Sequence, residues 1–465
     1  MRVLQNIKPT AEQLPILRDV GPGFRLIRGA AGSGKTTAAV MRLRQLCAAR
    51  IARLSRLGLN GPVRVLVLTF NRTLRGYVEE LAKQQASDDD VELIVETFSR
   101  WAMGLCPGGR ASIIDRRTSQ DLLRAAGFPS DSRYFEDEVQ YLLGRFPRER
   151  RDEYLDATRS GRGRAPPMQK AVRAKLLSDV IEPYEEAKTR LGQMDWQDVA
   201  RVAATAPSEQ YDIVVVDEAQ DLSANQVRCL LAHLSEDHTT TFVVDAVQRV
   251  YPQAFQWREV GISMRPGQVF TLGRNHRNTA AIARLAASLV KDLSAEEDGV
   301  VPDAGACAGE GARPRVLAGL YNAQLARMLD DIEPVLAVGD TVAILQPQGG
   351  RWFDFVRKAL TERGLEYCEL TRERDWPTGP EQIALSTIHS AKGLEFDHVL
   401  MPGLNQEVTP HGAEDGDGTL ESLQRLVAMG IGRARKTVTL GYKPDDRSTL
   451  IELLDRETYD LLRLK

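Results

Sequence analysis

The chain has 465 residues, too many for one ordinary core, and its 61 Lys and Arg nearly balance 64 Asp and Glu. That balance excludes a globally basic nucleic-acid binder, so any basic track has to be local. Five cysteines lie far apart without CxxC pairing, and neither an apolar leader nor an apolar run of about 18 residues occurs. These features exclude a disulfide framework and a membrane span, and a cytoplasmic protein is expected.

In chain order, a predicted strand at Arg25–Arg28 leads into Gly29-Ala30-Ala31-Gly32-Ser33-Gly34-Lys35-Thr36, and a helical pattern follows from Thr37 to Cys47. G-x-x-x-x-G-K-T between a strand and a helix is the setting of a phosphate-binding loop. Glycines let backbone N–H groups turn toward phosphates at the positive end of the helix dipole. Lys35 then reaches the β- and γ-phosphates, and the Thr36 hydroxyl can ligate Mg²⁺. Further strands are predicted at Val63–Thr69, Ile213–Asp217 and Thr241–Asp245.

Between Trp101 and Met194 the pattern turns helical and charged, with an amphipathic helix over Lys170–Arg190. From Arg145 to Lys175 ten Lys or Arg face four acids, a local excess suited to phosphates or to a solvated face. Residues 159–167 and Asn405–Glu421 read as loops. Later strands are predicted at Val269–Leu272, Arg315–Ala318, Thr341–Gln346, Ile383–Ser386, His398–Pro402 and Val438–Tyr442, giving two parallel α/β sheets in series.

Ile213-Val214-Val215-Val216-Asp217-Glu218-Ala219-Gln220-Asp221 is a buried-type strand ending in carboxylates. Asp217 is placed to hold Mg²⁺ directly or through water, and Glu218 to orient and deprotonate the attacking water.

Together with Gly29–Thr36, Asp217–Asp221 resembles the first two motifs of superfamily 1 helicases of the UvrD/Rep type. Other motifs of that family follow in order: Asp245-x-x-Gln248-x-x-Tyr251, Asn275-His276-Arg277, Thr387-x-His389-x-x-Lys392-Gly393-Leu394-Glu395-Phe396 and Gly430-Ile431-Gly432-Arg433-Ala434-Arg435-Lys436. The resemblance implies an ATP-dependent single-stranded-DNA translocase or helicase, moving 3′ to 5′. Its fold would be α/β, with two RecA-like lobes in tandem and ATP and Mg²⁺ between them. It implies a first lobe at 1–100 and 195–266, a helical insertion at 101–194 and a second lobe at 267–465. Lys35, Glu218, Gln248, Arg277 and Arg433 take catalytic roles in this reading, with Arg433 as the finger. Nucleotide contacts fall to Gln13, Gly29, Gly32, Ser33, Gly34, Lys35, Thr36, Thr37, His276 and Glu395, and the metal to Thr36 and Asp217. DNA, single-stranded or at a junction, falls to Thr69, Phe70, Thr97, Phe98, Tyr251, Trp257 and His389.

Three departures stand out from the family pattern. His276 replaces an adenine-stacking tyrosine, Gly432 a common threonine, and Thr371–Pro380 leaves no room for the second-lobe insertion of larger members. The last favours a second hypothesis, a DNA-gated ATPase switch acting on a protein partner such as a nuclease. A small-molecule phosphotransferase leaves Arg277, Arg433 and the segment after Thr387 unexplained.

Overall fold

The computed structural model describes residues 9–29, 32–59, 61–69, 72–85, 89–108, 113–127, 133–157, 168–244, 255–293, 304–307, 309–348, 351–370, 377, 379–410 and 419–464. Gln248, Tyr251 and Phe70 lie outside these residues. Two all-parallel sheets organise the chain. The first orders its strands β3-β2-β4-β5-β1-β6, with β1 Gly23–Gly29, β2 Val63–Thr69, β3 Val91–Thr97, β4 Tyr211–Val216, β5 Leu234–Val244 and β6 Val269–Leu272.

The second orders β13-β7-β12-β11-β8-β10-β9. Its strands are β7 Arg315–Ala318, β8 Val342–Gln346, β9 Tyr367–Leu370, β10 Ile383–Thr387, β11 Phe396–Met401, β12 Ala434–Tyr442 and β13 Asp460–Arg463. Central strands such as β4 and β8 are buried on both faces, as expected where crossover helices cover a parallel sheet.

Every predicted strand is present, but Val269–Leu272 pairs with β1 in the first sheet, not the second. The chain crosses over only after Leu272. The next helix, Ala280–Val290, packs on Thr419–Ile431 of the second sheet, with Ile282, Leu285, Leu426 and Val427 in one core. Strands β3 and β13 escape notice in the sequence because they are edge strands, without the continuous apolar run of a central one.

From Phe98 to Ala204 the described elements are helices. Lys170–Leu191 is one continuous helical run with a π-helical stretch at Leu176–Ile181, and Leu176, Val180, Ile181 and Tyr184 are buried. Val172 instead faces outward. Among its described residues, the basic run is largely engaged internally. Arg145 pairs with Glu259, Arg148 and Arg151 with Glu185, Arg150 with Glu153 and Lys170 with Asp156. Arg173 donates to the Met168, Tyr154 and Ala157 carbonyls. The predicted loop at Asn405–Glu421 begins as a tethered turn, since Asn405 accepts from the Lys443 N–H and Thr409 bonds Ser448. Its last residues open the helix Thr419–Ile431.

Where the helical block meets the first sheet, the buried Lys188 ammonium donates to Asp195 (2.7 Å) and Asp198 (2.6 Å). Asp195 also caps the helix Trp196–Ala204 and accepts from the Tyr184 hydroxyl. Lys188→Met leaves the buried Asp195 and the half-buried Asp198 without their cation and is expected to cost about 3 kcal/mol. A urea midpoint equal to wild type would show that this cluster does not hold the junction.

Candidate nucleotide site between the sheets

The phosphate loop spans the turn from β1 to the helix Lys35–Leu57. Gly32 (φ 79°) and Gly34 (φ 77°) adopt left-handed backbone, and the loop is tightly embraced. A Cβ at Gly32 would lie 2.3 Å from Asn275 Oδ1, and one at Gly34 would lie 2.5 Å from Gln13 Nε2. The Gln13 amide donates to the Gly34 carbonyl at 3.2 Å, and the His276 N–H donates to the Gly32 carbonyl at 3.0 Å. Gln13 and His276 thus border the loop, with the His276 side chain exposed. Lys35 Nζ donates to the Gly29 carbonyl (2.9 Å), folding back over the loop. Ser33 Oγ is buried without a partner among the described residues. Thr36 and Thr37 open the helix.

Strand β4 ends against this loop. Thr36 Oγ1 donates to Asp217 Oδ1 at 2.9 Å, and Asp217 Oδ2 is buried with no hydrogen-bond partner among the described residues. Burial, followed by the Glu218 charge beside it, pushes the Asp217 carboxyl up to about 7. A buried carboxyl with one idle oxygen beside a hydroxyl suits a hard cation completed by phosphate oxygens. No group of three or more His, Cys, Asp or Glu among the described residues forms a metal cage by itself. The residues present therefore fit Mg²⁺ arriving with a nucleotide.

Glu218 has φ 53°, the one positive value outside glycine among the described residues. Burial opposes ionisation of its carboxyl, yet Lys392, then Arg433 and Lys35, outweigh burial and hold its pKa below the ordinary value. Lys392 belongs to the second sheet's connection from β10 to β11. Its ammonium, only 2% exposed, lies 3.2 Å from Glu218 Oε2 and contacts Asp221.

Arg277 follows β6 and reaches the other sheet. Its guanidinium donates to Glu395 Oε1 (2.6 Å) and approaches the Gly432 carbonyl (3.5 Å). Asn275 accepts from the Arg277 and Asn278 N–H groups, and Asn278 donates to the Gly432 and Ala434 carbonyls. Burial works against Glu395 ionising, but Arg277, then Arg435 and Arg433, keep its pKa low. Arg433, almost fully buried, donates to the Met429 carbonyl at 3.2 Å. Lys35, Asp217, Glu218, Arg277, Glu395 and Arg433 are thus gathered where the C-terminal edge of the first sheet meets the N-terminal ends of β11 and β12.

The residues assigned to DNA are less uniform. Phe98 is buried against Trp101, with ring centroids 5.6 Å apart, and belongs to the core. Trp257 packs on Phe242 at 4.7 Å and is half-buried. Apolar packing claims the Phe98 ring, because a large ring beside a sheet gains more from burial than from waiting in solvent, while Trp257 keeps part of its ring exposed. Thr97 caps the helix Phe98–Leu105, and Thr69 is buried at the end of β2. His389 is half-buried in the turn after β10. Lys392, Asp221 and Asn278 carry cross-sheet contacts beside that of Arg277 with Glu395, and Asn275 braces the loop that holds Arg277 and Asn278, although sequence reasoning gave these four no role. The signal was present, since each stands inside a motif already picked out or directly beside one.

Residues 16–254 match the family described as an AAA domain, and residues 353–444 match the UvrD-like helicase C-terminal domain. ATP-dependent DNA helicase Rep of Salmonella typhimurium is 39% identical over 85 residues, covering 18% of this chain and 11% of that protein. DNA helicase II of Haemophilus influenzae is 30% identical over 130 residues, covering 24% and 18%. The matched stretches are therefore a small part of those curated relatives. With the AAA-domain match extending over more than half of its residues and the UvrD-like C-terminal domain behind it, the chain belongs to the superfamily 1 helicases of the UvrD/Rep type.

Proposed function

We propose that the chain is an ATP-driven translocase on single-stranded DNA, with the 3′-to-5′ direction that its resemblance implies. ATP is hydrolysed between two RecA-like lobes, the first running through β6 to Leu272 around a helical insertion at 101–194, the second following it. One observation carries this reading. The segment Thr387–Glu395 runs from the C-terminal end of β10, where His389 stands, to the N-terminal end of β11, where Glu395 holds Arg277. On the way it presents Lys392 to Glu218. A single short segment therefore joins the DNA-facing edge to the hydrolytic carboxylate.

In this mechanism Lys35 and the loop N–H groups hold the phosphates, and Thr36 and Asp217 hold the metal. Bound Mg²⁺ neutralises charge on the β- and γ-phosphates. Glu218, kept ionised, orients water and takes its proton, while Arg277 and Arg433 offset charge on the transferring phosphoryl group. Gln13 and His276 border the base. Water attacks the γ-phosphorus, the bond to the β-phosphate oxygen breaks, and ADP and phosphate leave.

A specific observation favours a second reading, a DNA-gated switch acting on a protein partner. Only residues 371–382 lie between β9 and β10, which leaves no domain there to engage a duplex.

ATP turnover measured with and without single-stranded DNA tests the proposal. DNA is expected to stimulate it strongly, and Glu218→Gln to lower it by about 10²–10⁴-fold. Turnover indifferent to DNA sinks the translocase, and stimulation without strand displacement selects the switch. Replacing Lys392 with Met removes the charge that does most to keep Glu218 ionised, so the acid limb of the kcat–pH profile moves to higher pH. An unmoved limb would remove Lys392 from that role. The metal binds the carboxylate form of Asp217. Its affinity is therefore full above about pH 7 and falls roughly tenfold per unit below it, as protons compete. Mn²⁺ titration of the nucleotide complex that shows no such fall would take the cation away from Asp217.

A further inference from the structure

Two turns into the helix Lys35–Leu57 stands Arg42, whose side chain is wholly buried. Its guanidinium is fastened to two other parts of the first sheet. Nε and Nη2 donate to the Asp19 carbonyl at 2.8 and 2.5 Å, and Nη1 donates to Thr241 Oγ1 of β5 at 2.6 Å. The nearest carboxylate oxygen among the described residues, Asp19 Oδ1, is 3.7 Å away. It is turned instead to Arg25 Nη2 of β1 (2.9 Å) and to the Gly21 N–H (3.1 Å). The turn closes tightly there, since a Cβ at Gly21 would lie 2.8 Å from Arg25 Nη2. Burial pulls the Arg42 pKa down to about 10, which leaves the group charged at neutral pH.

A buried cation held mainly by neutral oxygens is a poor source of stability, so its use lies in what it fixes. It fixes the end of the short helix Leu14–Arg18, whose Ile16 shares a core with Val40 and Leu43 of the phosphate-loop helix. The other end of that short helix starts at Gln13, whose amide donates to the Gly34 carbonyl. The two helices therefore run side by side in one direction, joined at Gly34 and again at Arg42, about 12 Å further along the axis. The orientation of the Gln13 amide is set as well, because Oε1 accepts from the Thr10 N–H at 3.0 Å while Nε2 faces Gly34. Each end of a primary amide keeps a second hydrogen-bonding site, so an amide fixed this way can read a base edge.

We propose that Arg42 is a positioning residue for nucleobase recognition. By pinning Asp19 to the phosphate-loop helix, it sets Gln13 against the base of the nucleotide whose phosphates the start of that helix holds. This rests on the nucleotide site proposed above, where Gln13 borders the base. Such recognition needs its groups held within about 0.5 Å, a tolerance that a five-residue helix anchored at one end does not meet.

The test is equilibrium binding of ATP, GTP and inorganic tripolyphosphate, each with Mg²⁺, together with steady-state ATP turnover. It compares the full chain as wild type, Arg42→Met, Gln13→Ala and the double variant. Arg42→Met is expected to weaken ATP binding and raise KM about 3- to 10-fold, with kcat at saturating ATP unchanged. Tripolyphosphate has no base and should bind the variant as it binds wild type, while the preference for ATP over GTP shrinks. In the Gln13→Ala background the Arg42 change should add nothing, since both act on one contact. Should Arg42→Met fail to fold, Asp19→Asn, at a half-buried side chain, is expected to move the same quantities in the same sense by less. ATP weakened by Gln13→Ala but not by Arg42→Met or Asp19→Asn overturns the positioning role alone. Equal weakening of ATP and tripolyphosphate makes Arg42 a prop of the fold and overturns it too. A wild type that binds ATP no better than tripolyphosphate overturns the base contact of Gln13, and one that binds neither overturns the nucleotide site itself.

Discussion

A lysine ammonium almost sealed from water between two carboxylates of the other sheet is the contact on which this architecture turns. Such a group is expensive to desolvate, and replacing a buried ion cluster by apolar side chains is often neutral or stabilising. Stability alone therefore gives little reason for Lys392, Glu218 and Asp221 to meet. What the contact does is link the charge of Glu218, the carboxylate proposed to activate water, to the relative position of the sheets. If they part by a few ångströms, Glu218 loses its main counter-charge and the burial that opposes its ionisation is no longer offset. In the proposed cycle, the charge of Glu218 and the position of the second sheet become one variable.

Arg277 and Glu395 form the companion contact on the other side of the phosphate loop. Arg277 leaves the first sheet after β6, and its loop is bonded both to Gly32 and, through Asn278, to Gly432 and Ala434. That loop is tied to both sheets. Asparagine suits it because one amide can accept from backbone N–H groups while donating elsewhere. The Gly432 carbonyl accepts from Asn278 and is approached by Arg277, so the departure from the family's threonine stands at this junction, although a Cβ there would meet only the Met429 and Ala428 carbonyls at ordinary contact distance.

Much of this was legible in the residues. The phosphate loop, the acidic strand end and the central strands announce themselves because buried parallel strands are continuous apolar runs and phosphate chemistry admits few residue patterns. Edge strands β3 and β13 did not, and β6 was placed in the wrong sheet, since pairing partners are a tertiary property that local pattern does not encode. Phe98 shows the same limit. An aromatic ring has one composition signal whether it waits for a base or fills a core, and only the neighbours decide. In the described part of the basic run at 145–175, folding brings two sequence-distant acids, Glu259 and Glu185, to arginines whose partners local pattern could not name.

The place of β6 also bears on how the chain is made. Strand β1 pairs on one side with residues from Thr239 to Val244 and on the other with Val269 to Leu272, all more than two hundred residues downstream. At 5–20 residues per second, roughly 10–40 s of synthesis pass while both its edges stand open. An apolar strand in that condition invites pairing with another ribosome's product. Arg25 and Arg28 interrupt its run Gly-Phe-Arg-Leu-Ile-Arg-Gly, and in the finished protein Arg25 is neutralised by Asp19, a few residues away. The same arginine is thus a solubility guard during elongation and a quiet internal ion pair afterwards.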